Sequence, residues 1–291
     1  MKPATFNYLR PSSIEEAVKL LNEYGDECKI IAGGQSFIPI LNMRMSDPGC
    51  LIDISQIDEL KGIRIEDEVL KIGALTIQRK LEQSDLIKQH APLLAEAARY
   101  IGHVQTRNRG TIGGSVAHAD PSAELPLSFL ALDATIVIQN VDEVRETSIN
   151  DFFITYLTTE LMPEDMLTEI HVPLSRWNGY AFEEFSRRHG DFALVAVACV
   201  LTTDDSGTID DARIVLGGVD AVPLLAEEAM EYLVGKNLTE KTLERASELA
   251  IVDADPDEDL HASKEYRLHL SKVLTRRALL KAYNRELQKE G

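Results

Sequence analysis

The chain has 291 residues, 44% hydrophobic and 27% charged, with a formal net charge of −18. That length can bury a substantial core, as one large domain or two modest ones. Phosphate backbones and anionic lipid repel such a polyanion, so neither a nucleic-acid partner nor a membrane surface is expected.

In chain order, Ser12 with Glu15 reads as a capping box. Ile14, Ala17, Val18, Leu20 and Leu21 follow at helical spacing, which predicts a helix ending at Gly25. CKIIAGG reads as a short strand stopped by its glycine pair, and CLIDIS (50–55) as another. VLKIGALT (69–76) alternates like a strand. A helical region then runs from about Ile77 to Ile101, interrupted near Pro92. LPLSFLAL is helix-like, ATIVIQN (134–140) is a strand, and a loop leads to a strand ending at Pro173. Composition shifts near RWNG (176–179), where a domain boundary is expected at about 177. Beyond it come a strand, a turn at His189–Asp191, a longer apolar segment and the strand in TIDDARIVLGGVD. From about Pro223 the chain is helical, and the acidic stretch 253–263 reads as a solvated linker. In the last helix, Leu268, Leu270, Val273, Leu274, Leu279 and Leu280 are expected to bury one face.

The apolar run Phe192–Leu201 is ten residues long, whereas a membrane-spanning helix needs about 20. The N-terminus lacks the apolar centre of a signal peptide. A cytoplasmic protein without a membrane span is expected. Cys28, Cys50 and Cys199 are far apart and form no CxxC, so they read as buried structural thiols rather than metal ligands.

Two glycine loops carry the chemistry. In AGGQS, Gly33 and Gly34 expose the backbone and Ser36 adds a hydroxyl. In TIGGS, Gly113 and Gly114 repeat the arrangement with Thr111 and Ser115. Glycine lets a ligand approach the backbone closely, and successive N–H groups in a tight turn form an anion-binding nest. Two such loops suit the two phosphates of a dinucleotide. Neither matches the GxGxxG or GxxxxGK[ST] pattern. The bland reading keeps both as turns, and the Gly217–Gly218 pair reads as a turn in either case. His118 reads as a packed imidazole or a cofactor contact, and Asp120 as a helix cap or a ligand-facing acid. Phe192 fits the core or a ligand-facing position, and Arg187 with Arg188 fits a solvated face.

AGGQSFIPILNMR and RGTIGGSVAHADPSAE resemble the two FAD loops of the medium, flavin-carrying subunit of molybdenum hydroxylases. That group includes the medium subunits of carbon monoxide dehydrogenase and the flavin domain of xanthine dehydrogenase. The resemblance extends through FNYLRPSSIEEAVKLL, ELMPEDMLTEIHVP and RRHGDFALVAVA to nearly the whole chain. It implies an α+β fold: a two-part FAD-binding domain of the vanillyl-alcohol-oxidase/PCMH type over 1–177, with subdomains of about 1–57 and 58–177. A smaller α+β domain, an antiparallel sheet plus helices, would follow over 178–291.

The resemblance also implies site roles. Ala32, Gly33, Gly34, Gln35 and Ser36 would wrap the FAD pyrophosphate. Gly110, Thr111, Gly113, Gly114 and Ser115 would form the second cradle, with His118 and Asp120 beyond it. Glu124 would bind the ribose region, where the family often has Asp. Ile101, Gly102 and Thr106 would line the cofactor, and Leu161 and Leu167 would pack near its rings. Phe192 would lie beside the flavin, with Arg187 or Arg188 near its pyrimidine edge. Gln35 stands where related flavin oxidases often carry a covalently bonded His, so noncovalent FAD is expected. No residue on this chain is expected to be catalytic toward the organic substrate, and none to hold a metal.

The implied function is electron transfer. FAD on this chain would take electrons from [2Fe–2S] clusters of a small subunit and pass them to an external acceptor. Substrate oxidation would occur at the molybdenum cofactor of a large subunit, in a dimer of heterotrimers. Two other readings stand beside this one. A stand-alone flavin oxidoreductase could use His103 or His189 as a base, and a structural subunit would have lost FAD.

Overall fold

The computed structural model describes residues 2–174 and 177–288; Arg176, at the start of the compositional shift, lies outside them. Strands β1 (Asn7–Leu9), β2 (Cys28–Ile31) and β3 (Cys50–Asp53) form a parallel sheet in the order β1-β3-β2. Helix α1 (Ile14–Tyr24) connects the first two, burying Ala17, Val18 and Leu21. It ends at Gly25, whose φ of 51° falls in the left-handed region. Its cap is Ser13 rather than Ser12. The Ser13 Oγ accepts from the Glu16 N–H at 3.2 Å, and Glu16 accepts from the Ser12 N–H at 2.7 Å. Both serines fit the S-x-x-E spacing, and spacing alone does not choose between them.

The cysteine expectation is corrected for one pair. Cys28 and Cys50 lie opposite each other on β2 and β3, with Cα atoms 4.4 Å apart, and form a disulfide. Only Cys199 is a buried free thiol. The 22-residue separation conceals a contact that parallel pairing creates.

Helix α2 (Phe37–Met43) follows the first glycine loop. Next come β4 (Ile63–Glu66), β5 (Val69–Gly73), β6 (Thr135–Gln139) and β7 (Val144–Ser148). With β10 (Met166–Pro173) they make an antiparallel sheet in the order β4-β5-β10-β6-β7. A small hairpin, β8 (Phe153–Thr155) and β9 (Thr158–Thr159), precedes β10. The helical region expected over 77–101, with its break near Pro92, is three short helices: α3 (Arg79–Gln83), α4 (Asp85–His90) and α5 (Pro92–Ala97). Ser84 breaks the first pair by capping α4, accepting from the Ile87 N–H at 3.4 Å. Pro92, which has no N–H to donate, opens α5. Helices α6 (Val104–Arg107), α7 (Ile112–His118), α8 (Glu124–Ala131) and α9 (Ile149–Phe152) complete this part.

The remaining sheet is antiparallel, ordered β11 (Gly179–Phe185), β12 (Val195–Thr203), β13 (Ile209–Gly217) and β14 (Leu224–Leu225). Within the apolar run, Val195–Leu201 of β12 is buried on both faces. Ala196, Ala198 and Val200 pack into the core that holds Phe129 and Leu127 of α8. Val197, Cys199 and Leu201 meet Leu270, Leu274 and Leu279 of α12 (Lys264–Leu287), with α10 (Glu227–Leu233) and α11 (Glu240–Leu249) beside it. Leu280 departs from the expected face and is 47% exposed. The acidic stretch is anchored rather than free. Asp257 accepts from the Tyr156 hydroxyl at 2.7 Å, and Asp259 pairs with Arg267 at 3.0 Å. Among the described residues no helix is long and apolar enough to cross a membrane.

Candidate functional site: a cofactor cleft between two glycine loops

The first glycine loop leaves the carboxyl end of β2, where parallel sheets receive ligands. The second glycine pair is not an open loop. Thr111 caps α7, and Gly113 and Gly114 form its first turn. The two segments touch through glycine. A Cβ on Gly33 would fall on the Arg109 carbonyl, 2.9 Å from Gly110 Cα. A Cβ on Gly113 would lie 2.5 Å from Ala74 Cβ, and one on Gly110 equally close to Gln78 Oε1. Glycine at these positions therefore permits the close approach of three chain segments.

Between the loops lies a cleft of ≈ 540 Å³, a volume within the range for small-molecule sites. Ala32, Gly33, Gly34, Gln35 and Ser36 line it from one side. Ile101, Gly102, Thr106, Gly110, Thr111, Gly113, Gly114 and Ser115 line it from the other. His118, Asp120 and Glu124 form one end, and Leu161 and Leu167 an apolar wall. Phe192 sits at the rim, 64% exposed, so it is not a core residue. Arg187 is the exception. It stands outside the cleft, half exposed and 3.6 Å from Asp191, because the turn after β11 directs it to the surface. A second recess of ≈ 510 Å³ lies beyond the first loop, lined by Tyr8, Asp53, Ser55 and Arg109.

The two sides differ in what they offer. Among the described residues, the N–H groups of Gly33, Gly34 and Gln35 donate to no acceptor, while Gln35 donates its side-chain amide to the Gly33 carbonyl at 3.2 Å. This side is a free donor nest. On the other side the donors are already bonded: Gly113 to the Ala74 carbonyl (2.9 Å), Gly114 to Thr111 Oγ1 (3.2 Å) and Ser115 to the Thr111 carbonyl (3.2 Å). The second segment presents bare Cα surface and hydroxyls, not the second nest expected from its glycines. A neighbouring carbonyl, the Thr111 cap and the first helical turn consume its N–H groups, and a glycine pair does not reveal that in sequence.

Asp120 does not cap α8. It accepts from the Ser122 N–H at 2.9 Å in a tight turn, and Ala123 holds the cap position. Glu124 is buried, and burial pushes its carboxyl up to about 8, with the charges of Glu184 and Asp120 adding to the effect and Arg107 opposing it. Glu184 is likewise raised, to about 7, by burial. The neutral Glu124 carboxyl both donates and accepts, which suits a sugar hydroxyl.

Asp165, absent from the sequence expectation, also lines the cleft. Burial pushes its carboxyl up, but bonds from Arg145 (2.8 Å), the Met162 N–H (3.0 Å) and Asn140 (3.0 Å) outweigh burial and hold it below the usual range. Asp165 thereby fixes the segment that carries Leu161 and Leu167. Gln78 and Lys29 were also missed; no local pattern distinguishes either from an ordinary surface residue. The turn Gly217–Gly218 meets its expectation: Gly218 has φ 74°, and its N–H bonds the Pro121 carbonyl at 2.9 Å, joining the last sheet to the cleft.

A free donor nest, glycines that a Cβ would block, sugar-compatible polar groups and an apolar wall together fit a flavin dinucleotide. The chain belongs to the family described as FAD binding domain in molybdopterin dehydrogenase, whose model matches residues 4–175. The CO dehydrogenase flavoprotein C-terminal domain matches residues 180–282. The chain is thus an FAD-binding oxidoreductase subunit with the two-part fold described above.

Particular relatives are similar along their whole lengths. The 6-hydroxypseudooxynicotine dehydrogenase complex subunit alpha of Paenarthrobacter nicotinovorans is 41% identical over 286 residues, 98% of this chain and 97% of that one. The carbon monoxide dehydrogenase medium chain of Hydrogenophaga pseudoflava is 36% identical over 98% of this chain and 99% of its own. Among solved structures, quinoline 2-oxidoreductase from Pseudomonas putida 86 superposes with a TM-score of 0.94 at 36% identity, covering 98% of this chain and 99% of that chain.

Proposed function

We propose that the chain is the medium subunit of a molybdenum-dependent dehydrogenase complex and carries electrons from a small [2Fe–2S] subunit to an external acceptor. Substrate oxidation then belongs to a large subunit with the molybdenum cofactor, and the assembly is a dimer of heterotrimers. The observation that carries this reading is the run of unbonded N–H groups at Gly33–Gln35 in a loop that lines the cleft, in a chain related end to end to medium subunits.

When bound, FAD supplies the redox chemistry; the protein positions it and shapes its surroundings. Gly33, Gly34 and Gln35 would donate to its phosphates. Thr111 and Ser115 would offer hydroxyls, Glu124 would meet its sugar region, and Leu161 and Leu167 would exclude water beside its rings. Gln35 offers no imidazole for a covalent link, so the cofactor is held without a bond. The proposed domains are 1–177 and 178–291, and the proposed compartment is the cytoplasm.

A visible spectrum of the purified chain, before and after acid precipitation, tests the cofactor reading. Flavin colour that moves to the supernatant, with FAD identified there by mass, is the expected result. Colour that stays in the pellet overturns noncovalent binding. Turnover of an organic substrate by the isolated chain would instead favour a stand-alone oxidoreductase, for which His103 and His189, in ring contact at 5.9 Å, are the available bases.

A further inference from the structure

Arg107 is the most deeply buried cation beside the cleft, yet it does not line it. Its Nε donates to Glu82 at 2.6 Å. Its NH1 donates to two successive carbonyls, Ile101 at 2.8 Å and Gly102 at 3.3 Å. Both of those residues form the cleft wall. Gly102 has φ 43°, and a Cβ there would press on Thr106 at 3.3 Å, so the 101–106 turn is wound tightly around the guanidinium. The same turn continues to Gly110, whose N–H bonds the Thr106 carbonyl at 2.7 Å. Gly33 of the opposite loop rests on the Arg109–Gly110 backbone. One buried side chain thus ties the far wall to the segment against which the donor nest is seated.

Arg79 joins Glu82 at 2.8 Å, so the cluster of two guanidiniums and one carboxylate keeps a net positive charge behind the wall. Arg107's own charge opposes, as the smallest of several effects, the upward shift of the Glu124 carboxyl. A planar fork satisfies two carbonyls and a carboxylate at once, and a lysine ammonium keeps the charge without that geometry.

We infer that Arg107 is a positioning residue for the cofactor: held by Glu82, it sets the spacing between the 101–110 wall and the first glycine loop. The inference rests on the FAD reading above.

The full-length chain, Arg107→Lys, Glu82→Gln and a control that does not line the cleft, Glu96→Gln, are compared. Melting temperature, FAD affinity by flavin fluorescence and the shape of the bound flavin's absorption band at saturating FAD are measured. Arg107→Lys and Glu82→Gln should each weaken FAD binding by about tenfold, the equivalent of one charged hydrogen bond. Both should also alter the band. Glu96→Gln should lower the melting temperature and leave affinity and band unchanged. Wild-type affinity or a wild-type band in both cleft variants overturns the inference, and so does an equal loss in the control. Should Arg107→Lys fail to fold, Glu82→Gln decides alone. A wild-type chain that takes up no FAD would instead overturn the cofactor reading itself.

Discussion

Gly33 shows how closely one residue can constrain the site. Any side chain there meets the Arg109 carbonyl and the Gly110 Cα, neither of which can rotate away. Gly33→Ala is expected to push the two cofactor segments apart, destabilising the apoprotein by about 2 kcal/mol and lowering FAD affinity at least as much. Thermal melts with and without FAD check both effects. Glu124 makes a second prediction. Its carboxyl titrates at about 8 in the fold and near 4.3 in an unfolded chain. The folded state therefore binds more protons between those values, and stability falls as pH rises through that window. Glu124→Gln removes this dependence and should stabilise the apoprotein at pH 8 by on the order of 5 kcal/mol, with little change at pH 4. Urea titrations at both pH values test the sign. The residues most legible from sequence were glycines and short polar groups in two contiguous loops. Asp165, Gln78 and Arg107 were not legible, because their partners lie 20 residues away in Arg145, 32 in Gly110 and 25 in Glu82, and no local spacing marks them.

At the scale of elements, α5 is tied to β11 and α12 by one ionic cluster. Glu96 accepts from Lys281 at 2.7 Å, Arg285 at 2.7 Å and the Phe182 N–H at 3.2 Å. Burial pushes its carboxyl up, and these partners outweigh it and hold it below its usual range. Glu96→Ala leaves the Phe182 N–H without its acceptor and removes one partner each from Lys281 and Arg285, which keep Glu183 and the Tyr180 carbonyl, and should cost about 2 kcal/mol, read as a lower denaturant midpoint at unchanged slope. The Cys28–Cys50 disulfide acts on another pair of elements. The loop it closes contains the first glycine segment and α2. Cross-linking restricts the unfolded chain, so reduction should lower the melting temperature, and a thiol count in denaturant should find one free cysteine before reduction and three after it. Helix α1 was legible through its cap pattern and its period. In 77–101 the break at Pro92 was legible and the break at Ser84 was not, because Ser84 is a cap only when the chain turns there.

Across the whole molecule, the two matched segments share one core. Phe182, Ala196, Ala198 and Val200 from the last sheet pack in the same cluster as Leu70 and Ile136 of the central sheet and Phe129 of α8. Trp177 is buried in that cluster too. Such continuity predicts a single cooperative calorimetric transition rather than two. FAD at 100 times its dissociation constant should stabilise that transition by about 2.7 kcal/mol. Two resolved transitions would show that the proposed domains unfold independently.

The amino-acid sequence by itself determined helix α1, about half of the strands, the C-terminal helices and the two glycine segments, while the α+β class and their cofactor role came from the family resemblance. The helices, strands and glycine segments depend on local period, capping chemistry and short contiguous motifs, all carried within a few residues. Tertiary structure decided the rest. It paired Cys28 with Cys50, turned the second glycine pair into a helix start whose donors are already bonded, sent Arg187 to the surface and buried Glu124 as a neutral acid. Each of these outcomes depends on which distant segment lies within a few ångströms, and strand pairing and helix packing set that proximity.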